Sequence, residues 1–275
     1  MFKKNYTLII LAVLFFPPPV SGQESSVLLE DLTWLEAEKA LRRYKVVMIA
    51  LGARTKEHGP HLLLKNDFVM AEYLKKRVME EVPVAVLPTL QYGYYPSFLE
   101  YPGSVSLEAE TFKNLVRDIC MSMSGYGIKK FYILNTGVST LRPLQEASKE
   151  LAAQNLILSF TNILEVDEKV PEGLLRQEGG THADEGETSM MLYLASETVD
   201  MSKAVKDYDS RPDRKGLTRD PEGGGHYSPT GIWGDPTLAT REKGEILVET
   251  AVKEIAAQIR ALIDRKDIKN PPVVL

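Results

Sequence analysis

Cysteine is almost missing from this chain, with one residue, Cys120, in 275. No intramolecular disulfide is possible, so stability has to come from a packed core, and a chain of this length can bury one large enough. Cys120 falls in an apolar stripe with Phe112, Leu115, Val116, Ile119 and Met123, where a small core residue is expected rather than a nucleophile. Charge of one sign is missing too. The 33 basic and 38 acidic residues leave a net −5 with no long run of either sign. The footprint of a nucleic-acid binder is therefore absent, and no DNA or RNA partner is expected. Internal repeats are absent, and so is any composition typical of disorder, collagen or coiled coil.

The first 22 residues differ from the rest. Lys3 and Lys4 precede an almost wholly apolar run from Tyr6 to Phe16, then Pro17 to Pro19 and the small residues Val20-Ser21-Gly22. This pattern predicts a secretory signal peptide (1–22) cut before Gln23, leaving 23–275 as a single domain, periplasmic or secreted. The run falls well short of the ~20 residues that span a bilayer, and the prolines break its continuation, so no stable membrane anchor is expected after cleavage.

Strand and helix patterns alternate along the mature chain. Val46 to Leu51 is a continuous apolar run ending at Gly52, as in strands buried on both faces of a parallel sheet. Met70, Leu74 and Val78 recur at helical spacing, followed by a short strand from Val84 to Leu87 that Pro88 should stop. The Phe112 stripe predicts a second helix with Gly125 and Gly127 as cap candidates, then a strand at Phe131 to Leu134. A helix from Leu141 to Ala153, a strand at Leu156 to Phe160 and a long closing helix through Val248, Val252, Ile255, Ile259 and Leu262 complete the pattern. The alternation predicts an α/β domain, helices covering both faces of a mostly parallel sheet. The stretch 204–227, rich in Asp, Arg, Gly and Pro, reads as a surface excursion able to lie over a site.

Histidine is scarce, and all four residues, His58, His61, His182 and His226, sit in Gly- or acid-rich loop segments. Lys56-Glu57-His58-Gly59-Pro60-His61 follows the first central strand, with Asp67 nine residues beyond His58. Loops leaving the carboxyl ends of parallel strands build the ligand crevice, so these groups should converge there. Imidazole with carboxylate suits Zn, Mn or Fe rather than Mg or Ca. A second group, His182-Ala183-Asp184-Glu185-Gly186-Glu187-Thr188-Ser189, precedes an apolar run. Its carboxylates also suit a helix start with Asp184 as cap, which leaves His182 unexplained. Gly223-Gly224-Gly225-His226-Tyr227 and Trp233 could form a flap or simply a tight turn beside a half-buried aromatic. Ser139 and Thr140 suit a helix N-cap better than nucleophilic work.

Taken in order, five segments carry a resemblance. His58-Gly59-Pro60-His61-Leu62, Asp67, Tyr101-Pro102-Gly103-Ser104, the His182 to Ser189 segment and Gly231-Ile232-Trp233-Gly234-Asp235-Pro236-Thr237-Leu238-Ala239-Thr240 are similar to motifs of the creatininase (creatinine amidohydrolase) family. The resemblance implies a three-layer α/β/α fold, a homo-oligomer, two divalent metals and hydrolysis of amide C–N bonds in a small-molecule substrate. It implies metal ligation by His58 and Asp67, a metal-proximal Glu187 and proton transfer by His182.

Two departures from the family pattern stand out. The family's first metal-binding Glu falls on Lys56, with Glu57 shifted by one, and its Asn-Gly-His-Gly-Gly-Asn loop reads Asn135-Thr136-Gly137-Val138-Ser139-Thr140, so that the His falls on Gly137. Both changes strip one ion of protein ligands. The expectation is a reduced site with one divalent metal per chain (Zn, Mn or Fe), ligands drawn from His58, Asp67, Glu187 and Glu57, His182 and Glu185 catalytic, and the Lys56 ammonium paired with Asp67 in the vacated space. The alternatives are a non-catalytic binding or interaction module on the same scaffold, and a metal-independent enzyme using His182 with Glu185 or Asp184.

Overall fold

The run Val46–Leu51 forms a strand buried along its whole length, and its side chains alternate between two cores. Val46, Met48 and Ala50 enter one apolar cluster, while Val47, Ile49 and Leu51 enter another. That period of two is the geometry of a strand with helices on both faces. The computed structural model describes residues 25–211 and 213–266, so the predicted signal segment lies outside the described residues.

In chain order the main elements are β1 (Val27–Leu28), α1 (Trp34–Arg43), β2 (Val46–Leu51), α2 (Asn66–Glu81), β3 (Ala85–Leu90), α3 (Ala109–Ser124), β4 (Lys130–Asn135), α4 (Leu141–Ala152), β5 (Ile157–Phe160), α5 (Ile163–Asp167), α6 (Glu185–Leu194), β6 (Leu217–Thr218), β7 (His226–Tyr227) and α7 (Arg241–Asp264). The five-stranded sheet has the order β1-β3-β2-β4-β5, and every pairing in it is parallel. Helices α2, α6 and α7 cover one face through Met70, Leu74, Val78, Met190, Met191, Val248 and Ile255. Helices α3 and α4 cover the other through Phe112, Val116, Cys120, Leu144 and Leu151, so Cys120 is the core residue its stripe predicts. The result is the expected three-layer α/β/α arrangement. No helix among the described residues is long and apolar enough to cross a membrane.

Pro88 does not stop β3. The strand runs on to Leu90, and Pro88 falls where the register with β2 slips, between the pairs Ile49↔Leu87 and Leu51↔Leu90. Its missing N–H is tolerated at that irregularity, and two-residue β1 has already ended on the other side.

The order of strands locates the site. From β2 the chain crosses through α2 to β3 on one side, while β4 crosses through α4 to β5 on the other. The carboxyl ends of adjacent β2 and β4 therefore open a crevice between diverging connections. A third segment, leading into α6, closes over it. Its approach depends on Gly180, at φ +105, where a Cβ would lie 2.0 Å from the Trp233 carbonyl oxygen. That clearance allows His182 and Trp233 to exchange backbone hydrogen bonds as an isolated antiparallel bridge.

Candidate functional site

The loop after β2 delivers Lys56, Glu57 and His58, the first turn of α2 delivers Asp67, and the start of α6 delivers His182 and Glu187. The α6 start is set locally. Asp184 is the N-cap and accepts from the Glu187 N–H at 2.9 Å, while Ala183 is held in the left-handed region at φ +48. The Ala183 N–H donates to Glu187 Oε2 at 2.7 Å, which fixes this carboxylate back over the turn. Burial pushes the Asp184 carboxyl up to about 6.

His58 is fully buried and held at both nitrogens. Its Nδ1 donates to the Lys56 carbonyl at 2.9 Å, leaving Nε2 2.7 Å from Asp67 Oδ1 and 3.4 Å from Glu187 Oε1. Burial opposes charge on the ring, but the Asp67 carboxylate outweighs it and lifts the pKa to about 9. Desolvation likewise works against charge on Glu187, yet the neighbouring His58 cation holds this carboxyl well below its usual range. Lys56 Nζ lies 2.8 Å from Asp67 Oδ2, over the rings of Phe98 at 4.8 Å and Tyr95 at 5.4 Å. Burial favours a neutral amine there, and the Asp67 charge overrides it, so Lys56 stays protonated.

His182 is held from behind. Its Nε2 donates to Glu57 Oε1 at 2.7 Å, and Glu57 Oε2 accepts from the Gly59 N–H at 2.8 Å. The free Nδ1 faces Glu187 Oε2 at 3.8 Å. Ligand atoms of His58, His182 and Glu187 all lie within 4.8 Å of one another. Three such donors with a carboxylate behind one imidazole match the chemistry of a zinc- or manganese-type site. Asp67 Oδ2 adds a buried oxygen with no hydrogen bond in good geometry despite the adjacent ammonium.

Several sequence expectations are relocated. Glu57 does not join the donor group, because its carboxylate is taken by His182 and Gly59. Asp67 stands outside that group as the partner of Lys56 and His58. Glu185, expected to be catalytic, has its side chain turned the other way. Its Oε2 accepts from the Arg176 and Gln177 N–H groups at 2.7 Å each, and its Oε1 pairs with Lys243 of α7. It is a structural tie between a loop, α6 and α7. His61 is neutral in character, its Nε2 2.8 Å from Thr188 Oγ1 and its pKa lowered by burial to about 4. Thr140 begins α4 without capping it, its hydroxyl donating to Asn135 Oδ1 instead.

A cavity of about 610 Å³ opens beside these groups, lined among others by Lys56, His182 and Glu187, by Arg214 and His226 of the 204–227 excursion, and by Trp233. The excursion does lie over the site. Its His226 ring stacks on Trp233 at 4.4 Å, and the Trp233 indole N–H donates to the Asp209 carbonyl. Arg214, Lys215 and Gln177 also line it without any local sequence signal, since the return of their two loops depends on long-range pairing.

The creatininase family model, described as creatinine amidohydrolase, matches residues 30–259. The chain belongs to the creatininase family. It is 28% identical to a creatinine amidohydrolase of Pseudomonas putida over 86% of this chain and 96% of that protein. It is 26% identical to a mycofactocin precursor peptide peptidase of Mycolicibacterium smegmatis (strain ATCC 700084 / mc(2)155), over 78% and 84% of the two chains. Among solved structures, a manganese creatininase superposes with a TM-score of 0.73 at 27% identity, covering 87% of this chain and all of that one. A Zn-Zn type creatininase variant gives 0.72 at 26% identity, covering 88% and 100%. Creatininase structures thus include Mn and Zn-Zn forms, and this family member has a His and Glu group of metal-ligating type.

Proposed function

We propose that this creatininase-family protein is an exported hydrolase of amide C–N bonds that works with one divalent ion per chain. The observation that carries the reading is the convergence of His58, His182 and Glu187, the last two lining the cavity, beside the buried ammonium of Lys56. The names of the relatives support the bond class, since a creatinine amidohydrolase and a peptidase both break C–N bonds. The donor set suits Zn, Mn or Fe. His58 and Glu187 would hold the ion, and such an ion lowers the pKa of a coordinated water toward about 7 and polarises a carbonyl.

The chain's own groups do the rest. The His58 Nδ1–H bond to the Lys56 carbonyl fixes the tautomer, so that loss of one proton frees Nε2 for ligation. Glu57 fixes the His182 ring through Nε2 and leaves Nδ1 as the nitrogen that can pass a proton to a leaving amine. Lys56 lines the cavity as a fixed positive charge, able to stabilise negative charge developing on a carbonyl oxygen. Phe98 and Tyr95 keep water from its flank. Export rests on the Lys3 to Gly22 pattern. Assembly into a homo-oligomer is part of the same reading, supported by exposed Leu64 and Val105 beside the Thr55–Lys56 backbone.

A second reading has its own observation. Lys56, His58, Asp67 and Glu187 already balance charge among themselves, an arrangement that suits a metal-free binding module. Metal analysis of protein purified without chelator and then loaded with zinc or manganese separates the two. About one equivalent per chain, lost in His58→Ala and Glu187→Gln, supports the hydrolase, and none supports the binding module. His182→Gln assigns Nδ1: retained metal with lost hydrolysis means proton transfer, lost metal means ligation.

A further inference from the structure

Helix α6 carries a glycine in its first turn where the backbone does not call for one. Gly186 is buried, lines the cavity and immediately precedes Glu187. It does not adopt a positive φ, so other residues could take its conformation. Nor does a neighbouring backbone press on it. At Gly244 a Cβ would lie 1.8 Å from the Ser189 carbonyl oxygen, whereas at Gly186 it would first meet Leu175 Cδ1 at 3.3 Å and Asp184 Oδ1 at 3.5 Å. Glycine is also the weakest helix former after proline. What the missing side chain supplies here is room in the cavity.

The walls of that room are aliphatic. Leu175 faces Gly186, and Met190 follows one turn along α6 on the same side; both line the cavity. The spacing recurs in α2, where Met70 lies three residues past Asp67 as Met190 lies three past Glu187, and side chains so spaced share a helix face. Met70 and Met190 belong to one buried apolar cluster, Leu175 and Ile163 pack against it, and all four line the cavity. Asp184, the polar neighbour of this space, is already engaged: Oδ1 accepts from the Glu187 N–H and Oδ2 from Gln177 Nε2. Thioethers and leucine methyls offer close packing to an apolar group, and methionine adapts to its shape. We infer that Gly186 is a specificity-determining position and that the substrate carries a branched aliphatic group beside its scissile amide. That group fills the space facing Leu175, and because Gly186 and Glu187 are consecutive it lies within a helical turn of the amide held at Glu187. The inference rests on the hydrolase reading for which bond is cut, whereas the binding preference does not depend on it.

Three neutral probes that differ only in side chain, N-acetylglycinamide, N-acetylasparaginamide and N-acetylleucinamide, are titrated against the full chain by NMR, which reads binding and any hydrolysis from the same spectra. The leucine compound should bind at least tenfold more tightly than the glycine compound and than its near-isosteric asparagine counterpart. In Gly186→Leu, whose new side chain occupies the space, the three affinities should fall within a factor of two. Gly186→Ala adds one methyl facing Leu175 and should cut the leucine preference at least threefold with a Tm at or above that of wild type. It decides if Gly186→Leu fails to fold or binds none of the probes. Leucine binding no tighter than either counterpart, no detectable binding of the leucine compound, or a preference unmoved in Gly186→Ala or in folded Gly186→Leu overturns the inference. Binding and turnover are scored apart. A leucine preference without hydrolysis by zinc- or manganese-loaded protein keeps the aliphatic site and removes the hydrolase reading, and hydrolysis of all three probes at equal affinity does the reverse.

Discussion

Lys56 and Asp67 form a buried ion pair, Nζ to Oδ2 at 2.8 Å, while the other oxygen of the same carboxylate meets His58 Nε2 at 2.7 Å. One acid thus faces two cations at the mouth of the sheet. The buried lysine is part of the charge balance of the site.

Lys56→Met removes one of those cations and leaves Asp67 buried with His58 alone. Breaking a buried pair from one side costs about 3 kcal/mol, a fall in Tm of roughly 6–12 °C for a domain of this size. Added zinc should restore part of the loss, because the freed carboxylate becomes a ligand. Thermal and urea melts with and without zinc measure both effects, and a variant as stable as wild type contradicts the pair's role.

Lys56→Glu combined with Gly137→His should raise the metal content from one to two equivalents. The geometry permits it, since a Cβ at Gly137 meets only Thr140 Oγ1 and Tyr95 Cε1, both at 3.5 Å. Elemental analysis of the zinc-loaded variant is the check. Unchanged stoichiometry would mean that more than these two positions closes the second site.

Glu185→Gln should destabilise without touching the metal. The carboxylate holds two backbone N–H groups and Lys243 in a fully buried position. Loss of its charge costs about 2–3 kcal/mol in the urea midpoint extrapolation. The folded fraction should keep wild-type metal content, whereas a loss of metal with stability intact would return Glu185 to the site.

His61 gives the fold an acid-sensitive element. Burial depresses its pKa from 6.5 to about 4, so between those values the unfolded chain binds the extra proton and the folded chain does not. Its contribution to stability is fully present above pH 6.5 and is lost as pH falls toward 4. His61→Gln retains a polar group facing Thr188 but cannot titrate, so its Tm should fall less than that of wild type between pH 6.5 and 4. Parallel slopes for the two proteins would contradict this.

Much of the frame was legible because it rests on local periodicity. The uninterrupted apolar run Val46–Leu51, the stripe through Phe112 and Cys120 and the closing helix each state a burial pattern that only one kind of element satisfies. The spacing of His58 and Asp67 likewise placed both groups at one strand end, where they meet. Pro88 misled, because a strand tolerates proline at a register slip that the sequence does not reveal.

The chain by itself determined which elements form and which chemical groups are available, since period, capping and the residue types of each loop are written residue by residue. Only the tertiary structure decided how three neighbouring acids of one segment divide their work. Asp184 caps the helix, Glu185 turns inward to Lys243, and Glu187 turns toward His58. On one helical turn these side chains point in different directions: Asp184 meets its own helix start, whereas Lys243 and His58, which pair with Glu185 and Glu187, lie more than fifty residues away.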